Sequence, residues 1–224
     1  MTSEIDLIGR VVGPATTWLD ALEPGNHVDI LGPLGRGFAA PPSDNDILLV
    51  AGGVGLPPIR WWGQVLREQH RNCAMIYGAQ SRDVLPIRLC DEPAAEGEFG
   101  LCAEEFTAWG LPTMITTDDG SCGLKGRVTD GMLRYFAQLA HPLRVSVYAC
   151  GPLPMLCTVA SICAKHEVAC ELAMERVMAC GMGTCQSCAL PVHDDYGSAG
   201  WHYALCCTEG PVFDAGRVAW DALR

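Results

Sequence analysis

Apolar residues in the middle of the chain form short unbroken runs, and several of these runs are followed by a stretch with helical periodicity. The runs predict buried strands and read "DILLVAGG", "CAMIYGA", "TMITTDDG", "RVSVYACG" and "VACELAMER" from residue 46 onwards. Between them, "PPIRWWGQVLREQ" and "LPMLCTVASICAKH" place apolar residues on one helical face behind prolines that suit a helix start. Strands that alternate with helices in this way predict an α/β fold with a parallel sheet covered on both faces.

The two ends of the chain differ from this middle part. Residues 1–42 contain "IDLIGRVVG" and "HVDILGPLG", separated by a Pro24–Gly25 turn, and these predict two short strands before the linker "PPSDND". Beyond Glu175 the periodicity stops, and about forty residues there bury too little apolar surface to order themselves. We expect a metal cluster to order this tail. The pattern predicts three units, residues 1–42, 46–173 and 174–224.

Composition removes several classes of function. The 224 residues carry a formal net charge of -11 and a sequence pI near 4.8, so nucleic acid is an unsuitable partner. No apolar run approaches the roughly 20 residues that span a bilayer, and "MTSEIDLIGR" lacks the pattern of a secretory signal. We therefore expect a soluble, cytoplasmic protein with no membrane partner. In that reducing compartment its 13 cysteines favour metal binding or packing over disulfides.

Three cysteines near the C-terminus have the spacing of one kind of metal centre. Cys180, Cys185 and Cys188 follow the C-x4-C-x2-C pattern of plant-type 2Fe-2S sites, whose fourth ligand comes from a distant position. Gly181 and Gly183 allow the loop to fold tightly around an inorganic core. The spacing therefore predicts a 2Fe-2S cluster.

Two candidates for the fourth ligand, Cys206 and Cys207, follow in "ALCCTEGPVFD". Adjacent residues rarely both face one small cluster, so we expect one of them to pack in the core. Structural zinc is the rival interpretation, but His193 and His202 do not match the spacing of a zinc finger. Because an iron–sulfur centre carries one electron at a time and has no substrate chemistry of its own, its electrons must come from elsewhere in the chain.

A glycine turn after the first predicted strand indicates a nucleotide site. In "LLVAGGVGLPPIR", Gly52, Gly53 and Gly55 stand between a buried strand and a helix start, where backbone amides can receive a pyrophosphate. The turn is not a GxGxxG motif, and glycine at such a turn is also compatible with a purely geometric role. Two further strand ends, at 116–123 and 148–155, lie at the same predicted sheet edge. A flavin would connect a two-electron nucleotide with a one-electron cluster.

Together these segments resemble the electron-transfer subunit of class 1B dihydroorotate dehydrogenase, a family of the ferredoxin reductase superfamily. The resemblance is carried by "RVVGPATTWLDALEPGNHVDILGPLGRGF", "LLVAGGVGLPPI", "TTDDGSCGLKGRVTD", "YACGPLPML", "MERVMACGMGTCQSC" and "CTEGPVF". It implies an incomplete antiparallel flavin β-barrel, a Rossmann-like NAD domain and a small 2Fe-2S domain. It also implies NAD, FAD and one 2Fe-2S cluster as cofactors, and a separate FMN-containing catalytic subunit as partner in a heterotetramer. That partner would oxidise dihydroorotate to orotate in pyrimidine biosynthesis.

The resemblance also implies roles for particular residues. In the family two residues separate the fourth cluster ligand from Gly-Pro-Val-Phe, which selects Cys207. The FAD contacts that it implies are Ile8, Gly9, Arg10, Ala15 and Thr16. The turn of Cys150 and Gly151 would lie near the nicotinamide. Closing a tight turn is an equal alternative for Cys150, and no histidine beside it in sequence suggests an activated, nucleophilic thiol. The Arg-Pro-x-Ser type motif that binds FAD in the family has no match in residues 1–42. The eighteen residues between Cys188 and Cys207 exceed what the family leads us to expect and predict a longer hairpin.

Two other functions and one cofactor choice stay open at the level of sequence. The flavin subunit of an NAD(P)H-dependent ferredoxin or sulfide reductase shares the cysteine pattern. A non-enzymatic Rossmann-like module with a zinc-stapled tail would need neither flavin nor iron. Ser81 and Arg82 in "GAQSR" could take the 2'-phosphate of NADP, although the resemblance favours NAD.

Overall fold

A seven-stranded sheet flanked by helices organises most of the chain. The structure, a computed structural model, describes residues 4–139, 144–194 and 200–223. The strands are β1 (Asp46–Gly52), β2 (Cys73–Ala79), β3 (Thr113–Thr117), β4 (Leu124–Lys125), β5 (Val145–Cys150), β6 (Ala169–Ala173), β7 (Ala189–His193), β8 (Trp201–Leu205) and β9 (Val212–Asp214). The α-helices are α1 (Pro14–Asp20), α2 (Leu56–Glu68), α3 (Glu104–Thr107), α4 (Val128–Gln138) and α5 (Leu153–Lys165).

The strand order places the carboxyl ends of β1 and β5 side by side. The sheet runs β4-β3-β2-β1-β5-β6-β9, and its neighbours are parallel except for the antiparallel pair of β6 and β9. From β1 the chain builds the sheet outward to β4, and it then returns to the other side of β1 with β5. Ligands of open α/β sheets bind at such a reversal, beyond the strand ends. The α/β class and the five buried strands predicted from the apolar runs are confirmed.

Both faces of the sheet are covered, which explains why its strands are unbroken apolar runs. On β1, Ile47 and Leu49 pack into one core cluster with α2, whereas Leu48 and Val50 pack into a second cluster with α4 and α5. None of these four side chains is more than 1% exposed. The loops at the carboxyl edge of the sheet are therefore anchored to a well-buried frame.

Helix α4 is an element that the sequence interpretation missed. Its large buried apolar residues are Val128, Met132 and Phe136, and they recur at about one per 3.6-residue turn. The helix starts behind Arg127, whose backbone N–H donates to Asp130 Oδ2 at 2.7 Å. An acidic side chain that accepts this hydrogen bond satisfies one of the amides left over at a helix start. The two helices that were predicted, α2 and α5, are confirmed.

The C-terminal region is held by apolar packing as well as by its turns. β7 and β8 form an antiparallel hairpin from Ala189↔Leu205 to His193↔Trp201, and residues 195–199 of the predicted longer hairpin lie outside the described residues. Leu190, Val192 and Val218 are at most 1% exposed and belong to the same core cluster as α4 and α5. The expectation that apolar burial could not order this tail was therefore wrong, because the tail shares the core of the sheet. Its separation as a domain from residue 174 stays a prediction.

Residues 4–45 differ most from the sequence expectation. They form α1 and an isolated bridge between Arg36 and Pro211, but no β-ladder, so neither the strands predicted at 5–13 and 27–35 nor the incomplete barrel is formed by the described residues. An alternating apolar pattern becomes a strand only where a neighbouring strand can pair its backbone. The segment is instead attached at its end, where the Phe38 ring contacts those of Trp62 and Tyr148 at centroid distances of 6.0 and 5.4 Å.

No helix within the described ranges has both the length and the apolar character that crossing a membrane requires.

Candidate functional site

The base of the β7–β8 hairpin brings two distant cysteines together. Cys188 precedes β7 and Cys207 follows β8, and their Sγ atoms lie 3.3 Å apart. Both residues are 2% exposed. Cys206 is 0% exposed, and its backbone N–H donates to the Cys188 carbonyl at 3.1 Å, but its thiol has no hydrogen-bond partner among the described residues. Hairpin geometry thus distinguishes the two candidates, since the thiol of Cys207 and not that of Cys206 meets Cys188.

The other two cysteines form a second pair in the cysteine loop, which we define as residues 176–187. The Cys185 backbone N–H donates to Cys180 Sγ at 3.4 Å, and Cys185 Sγ lies 3.2 Å from Ser187 Oγ. Hydrogen bonds from Ser187, followed by those involving Cys180, lower the pKa of Cys185 to about 6. A thiol with that pKa is largely thiolate at neutral pH, which is the form that binds metals.

Glycines allow the cysteine loop to turn back on itself. Gly181 and Gly183 have φ angles of 69° and 81°, in the left-handed region that favours glycine. A Cβ at Gly183 would lie 3.3 Å from Thr208 Cγ2, so the loop is close to the turn that carries Cys207. A Cβ at Gly181 would lie 3.0 Å from both Leu31 and Leu34. The loop therefore sits between the hairpin base and the N-terminal segment.

The four thiols stand as two pairs that influence each other. The pKa of Cys207 is raised, chiefly by its hydrogen bond with Cys188 and by burial, with a smaller contribution from Cys180 across the loop. Within residues 4–139, 144–194 and 200–223, no three Cys, His, Asp or Glu side chains converge on one point closely enough to hold a single metal ion. Two neighbouring pairs of thiols suit two irons that each take two thiolates better than one tetrahedral zinc. By the chemistry of its donors, the set fits a 2Fe-2S cluster.

A cavity of about 640 Å³ opens at the carboxyl edge of the sheet, within the range of small-molecule and cofactor sites. The sequence-predicted residues that line it are Ile8, Gly9, Arg10, Gly52 and Gly53. The first three come from the N-terminal segment and the last two from the end of β1. The structure therefore brings together residues that lie more than forty positions apart along the chain.

Three more predicted residues lie just behind the cavity wall. A Cβ at Gly55 would lie 2.6 Å from the Gly151 nitrogen and would also collide with the Cys150 carbonyl, so only glycine allows β1 and β5 to end this close together. Burial, reinforced by the negative charge of Glu175, raises the pKa of the Cys150 thiol to about 12. Cys150 therefore stays protonated at neutral pH, in agreement with the expectation that it is not a nucleophile.

The start of α2 offers fewer amide donors than the sequence interpretation assumed. Its first turn contains Pro57 and Pro58, which have no backbone N–H. The amides available to an anion therefore belong mainly to the short 3-10 turn Gly53–Gly55 that precedes the helix. The predicted anion site is thus a glycine turn with little contribution from the helix itself.

Ala15 and Thr16 are not among the residues that line the cavity. Thr16 Oγ1 accepts hydrogen bonds from the Val12 and Gly13 amides at 2.9 and 3.1 Å and donates to the Gly13 carbonyl at 3.0 Å. Its hydroxyl is thus engaged in the start of its own helix, α1. The contact with FAD that was predicted for Ala15 and Thr16 has no counterpart in the cavity.

Asp118 and Met155 line the cavity and lie in the strand ends 116–123 and 148–155 that the sequence had indicated, although neither was singled out. Sequence reasoning missed Gln80, Arg127 and Thr158, which also line it. The rule that ligands bind beyond strand ends could have found Gln80, which directly follows β2. Arg127 was missed because it precedes the unpredicted α4. With Arg10 it gives the cavity two arginines against the carboxylate of Asp118, a balance that suits a phosphate-bearing ligand.

Two protein families match separate parts of the chain. Residues 49–161 match the family described as the oxidoreductase NAD-binding domain. Residues 175–219 match the family described as the iron-sulfur cluster binding domain of dihydroorotate dehydrogenase B.

Individual proteins resemble the chain over almost all of its length. The electron transfer subunit of dihydroorotate dehydrogenase B (NAD(+)) from Desulforamulus reducens is 32% identical over 96% of this chain and 74% of its own length. The subunit of the same name from Geobacillus kaustophilus is 36% identical over 95% of this chain and 73% of its own. A solved structure of an NADH-dependent reduced ferredoxin-NADP oxidoreductase superposes with a TM-score of 0.75 at 27% identity, covering 96% of this chain and 68% of that one.

Proposed function

Because the chain belongs to the family of dihydroorotate dehydrogenase B electron-transfer subunits, we propose that it relays electrons between NAD and a partner subunit that oxidises dihydroorotate. It is an oxidoreductase subunit with NAD, FAD and 2Fe-2S as cofactors, and it acts in pyrimidine biosynthesis. The observation that carries the proposal is the pairing of Cys188 with Cys207 beside a sheet whose edge holds a cavity of cofactor size.

The ligands that we propose for the cluster are Cys180, Cys185, Cys188 and Cys207. Two features support this set: the thiols already stand in pairs, and Cys185 is held in its metal-binding thiolate form by hydrogen bonds. When bound, the cluster supplies one-electron transfer, which a flavin can couple to hydride exchange with NAD. The zinc alternative is disfavoured because its four ligands would have to converge on one ion.

For NAD we propose the glycine turn of Gly52, Gly53 and Gly55 as the pyrophosphate site, with Cys150 and Gly151 at the nicotinamide end. The close packing of Gly55 against the Cys150–Gly151 turn supports this, because it leaves backbone and not side chains at the meeting point of β1 and β5. The adenosine would then extend along the strand ends, toward Gln80 and Asp118, which line the same cavity.

For FAD the proposed contacts are Ile8, Gly9 and Arg10, which all line the cavity. Arg10 is the one cationic side chain among them and suits a phosphate oxygen. Ala15 and Thr16 stay a sequence prediction, since they lie away from that cavity. The fit of the chain to FAD is therefore partial, and the flavin content of the purified protein is the direct test.

The partner that we propose is an FMN-containing catalytic subunit, docked over the cysteine loop in a cytoplasmic heterotetramer. The support is an exposed apolar surface around the loop, where Leu31, Val177 and Met182 are 58%, 80% and 64% exposed. Exposed apolar side chains on a loop and on the segment beside it are typical of an interaction surface.

The test is co-expression with a dihydroorotate dehydrogenase catalytic subunit, followed by anaerobic purification. We expect co-elution, about two irons and about one FAD per chain of this protein, and reduction of NAD+ that depends on dihydroorotate. The proposal fails if the two chains separate and NAD+ is not reduced although iron and FAD are present.

A second candidate function has one observation in its favour, the 27% identity over 96% of the chain to a ferredoxin-NADP oxidoreductase structure. In that case electrons would pass to or from ferredoxin. Ferredoxin-dependent oxidation of NADH by the chain, without a dihydroorotate dehydrogenase subunit, would favour this alternative.

A further inference from the structure

Arg82 is a cation beside the cavity that the proposed function leaves without a role. It follows β2 and is flanked in sequence by Gln80 and Val84, which both line the cavity. Its backbone N–H donates to Ser121 Oγ at 2.8 Å, which ties this turn to the loop after β3. An arginine beside the cavity has the charge and the planar set of N–H donors that bind a phosphate, here a phosphate on the adenosine ribose.

The guanidinium of Arg82 is already paired with a carboxylate. Both side-chain oxygens of Glu92 contact Arg82 Nη1, at 2.9 and 3.1 Å. The two side chains are 47% and 64% exposed, and an ion pair that accessible contributes little to folding stability. Its consequence is a local one, because an incoming phosphate must compete with Glu92 for Nη1 of Arg82 and approaches a guanidinium whose charge is already balanced.

The surroundings of this pair are acidic. Asp119 Oδ1 accepts hydrogen bonds from the Ser121 amide at 2.9 Å and from the Ser121 hydroxyl at 2.6 Å. These bonds lower the pKa of Asp119, so its carboxylate is ionised at neutral pH. A phosphate monoester with a charge of about -1.5 to -2 would meet this carboxylate as well as Glu92, whereas a ribose hydroxyl carries no charge.

We propose that Glu92 makes the chain selective for NAD over NADP, by occupying the arginine that would otherwise bind the 2'-phosphate. The inference rests on the proposed NAD site. In it Glu92 does not touch the nucleotide and acts only through its ion pair with Arg82. It also explains how Arg82 in the "GAQSR" segment can be compatible with NAD. The site would distinguish the two cofactors by the group at the adenosine 2' position, which is a phosphate monoester in NADP and a hydroxyl in NAD.

The test compares Glu92→Gln with Asp83→Asn in the full-length, oxidised protein. Both variants remove one negative charge next to Arg82, but Asp83 makes no ion pair within the described residues. Calorimetric titration with NAD+, NADP+, adenosine 2',5'-bisphosphate and AMP gives dissociation constants without any turnover. We expect Glu92→Gln to tighten NADP+ and the bisphosphate by about fivefold, the upper range for release of an exposed ion pair, with NAD+ and AMP little changed.

The double variant Glu92→Gln/Arg82→Gln completes the test, since the gain must vanish when the arginine is removed. An equal effect of Glu92→Gln and Asp83→Asn would overturn the proposal in favour of general charge repulsion. A gain that persists without Arg82, or no gain at all, would overturn it too. If the unmodified chain bound neither NAD+ nor AMP, the NAD site itself would be refuted and the role of Glu92 with it.

Discussion

The sheet region, residues 46–173, and the outer region, which consists of residues 4–40 and the cysteine loop, are both rich in apolar side chains, but only the first buries them. Ile47 in β1 is 1% exposed, whereas Ile30 in the outer region is 61% exposed. None of the residues 4–40 is fully buried. This contrast shows that an apolar pattern predicts an ordered element only where the chain supplies a second surface to cover it. In the outer region we expect bound groups and a partner to provide that surface.

The largest expected effect concerns the thiols, which hold the cysteine loop without burying apolar surface. Cys207→Ser should reduce iron from about two atoms per chain to well below one, because the Cys188 thiol loses its partner. Cys206→Ser is the matched control, and it should keep its iron while the buried hydroxyl lowers stability by about 1–3 kcal/mol. Iron and sulfide assays after anaerobic purification measure this. Iron loss in the Cys206 variant alone would reverse the ligand assignment.

The next largest effect is on the free energy of unfolding, with one substitution in the sheet region and one in the outer region. Ile47→Ala should lower the free energy of unfolding by about 2–5 kcal/mol, because it leaves a cavity between β1 and α2. Ile30→Ala should change it by less than about 0.5 kcal/mol, since the side chain is already mostly in solvent. Urea unfolding followed by circular dichroism is the measurement. Similar losses for both variants would mean that residues 4–40 are packed against the rest of the chain after all.

A smaller effect is expected from glycines in the two regions. Gly55→Ala would place a Cβ against the Cys150 carbonyl and the Gly151 nitrogen, and this overpacking should cost about 1–3 kcal/mol. Gly37→Ala meets nothing within 4 Å and should change stability by less than about 0.5 kcal/mol. Thermal unfolding of both variants provides the readout, together with NAD+ titration of the first. Unchanged stability and NAD+ binding in Gly55→Ala would show that β1 and β5 need not end so close together.

The smallest expected effect lies where the two regions meet, at Glu171 on β6. Glu171 Oε2 accepts the Ala39 amide proton at 2.8 Å, and burial raises the pKa of the carboxyl above its usual 4.5. The Glu171 carboxyl therefore binds its proton more tightly in the folded chain than in the unfolded chain. The resulting stability is present below pH 4.5 and is lost as the pH rises through the folded pKa.

Glu171→Gln should abolish that part of the pH dependence, with a change of at most about 1 kcal/mol between pH 4 and 7. Unfolding free energies measured at several pH values for both proteins provide the test. The same pH slope in the variant would show that the Glu171 carboxyl is not the source of this pH dependence.

Sequence reasoning succeeded where the chemistry is local. The apolar runs located the strands, and the C-x4-C-x2-C spacing located two thiols of the cysteine loop and a third, Cys188, at the base of the hairpin. It failed where an outcome depends on contacts with a distant part of the chain. The strands expected at 5–13 and 27–35 had no partner to pair with, and the core that orders residues 188–194 and 200–218 belongs largely to α4, α5 and the sheet. Arg127 became visible only when the fold placed it in the cavity wall, and Glu92 only through its ion pair with Arg82.

The hairpin of β7 and β8 has a consequence for protein engineering. Cys188 and Cys207 are joined at its base, whereas the last paired residues, His193 and Trp201, lie at the opposite end of the ladder. The length of chain inserted beyond that end does not change which residues are opposite each other at the base. A peptide tag or a fluorescent reporter placed beyond that end of the ladder would therefore leave the spacing of the thiols unaltered.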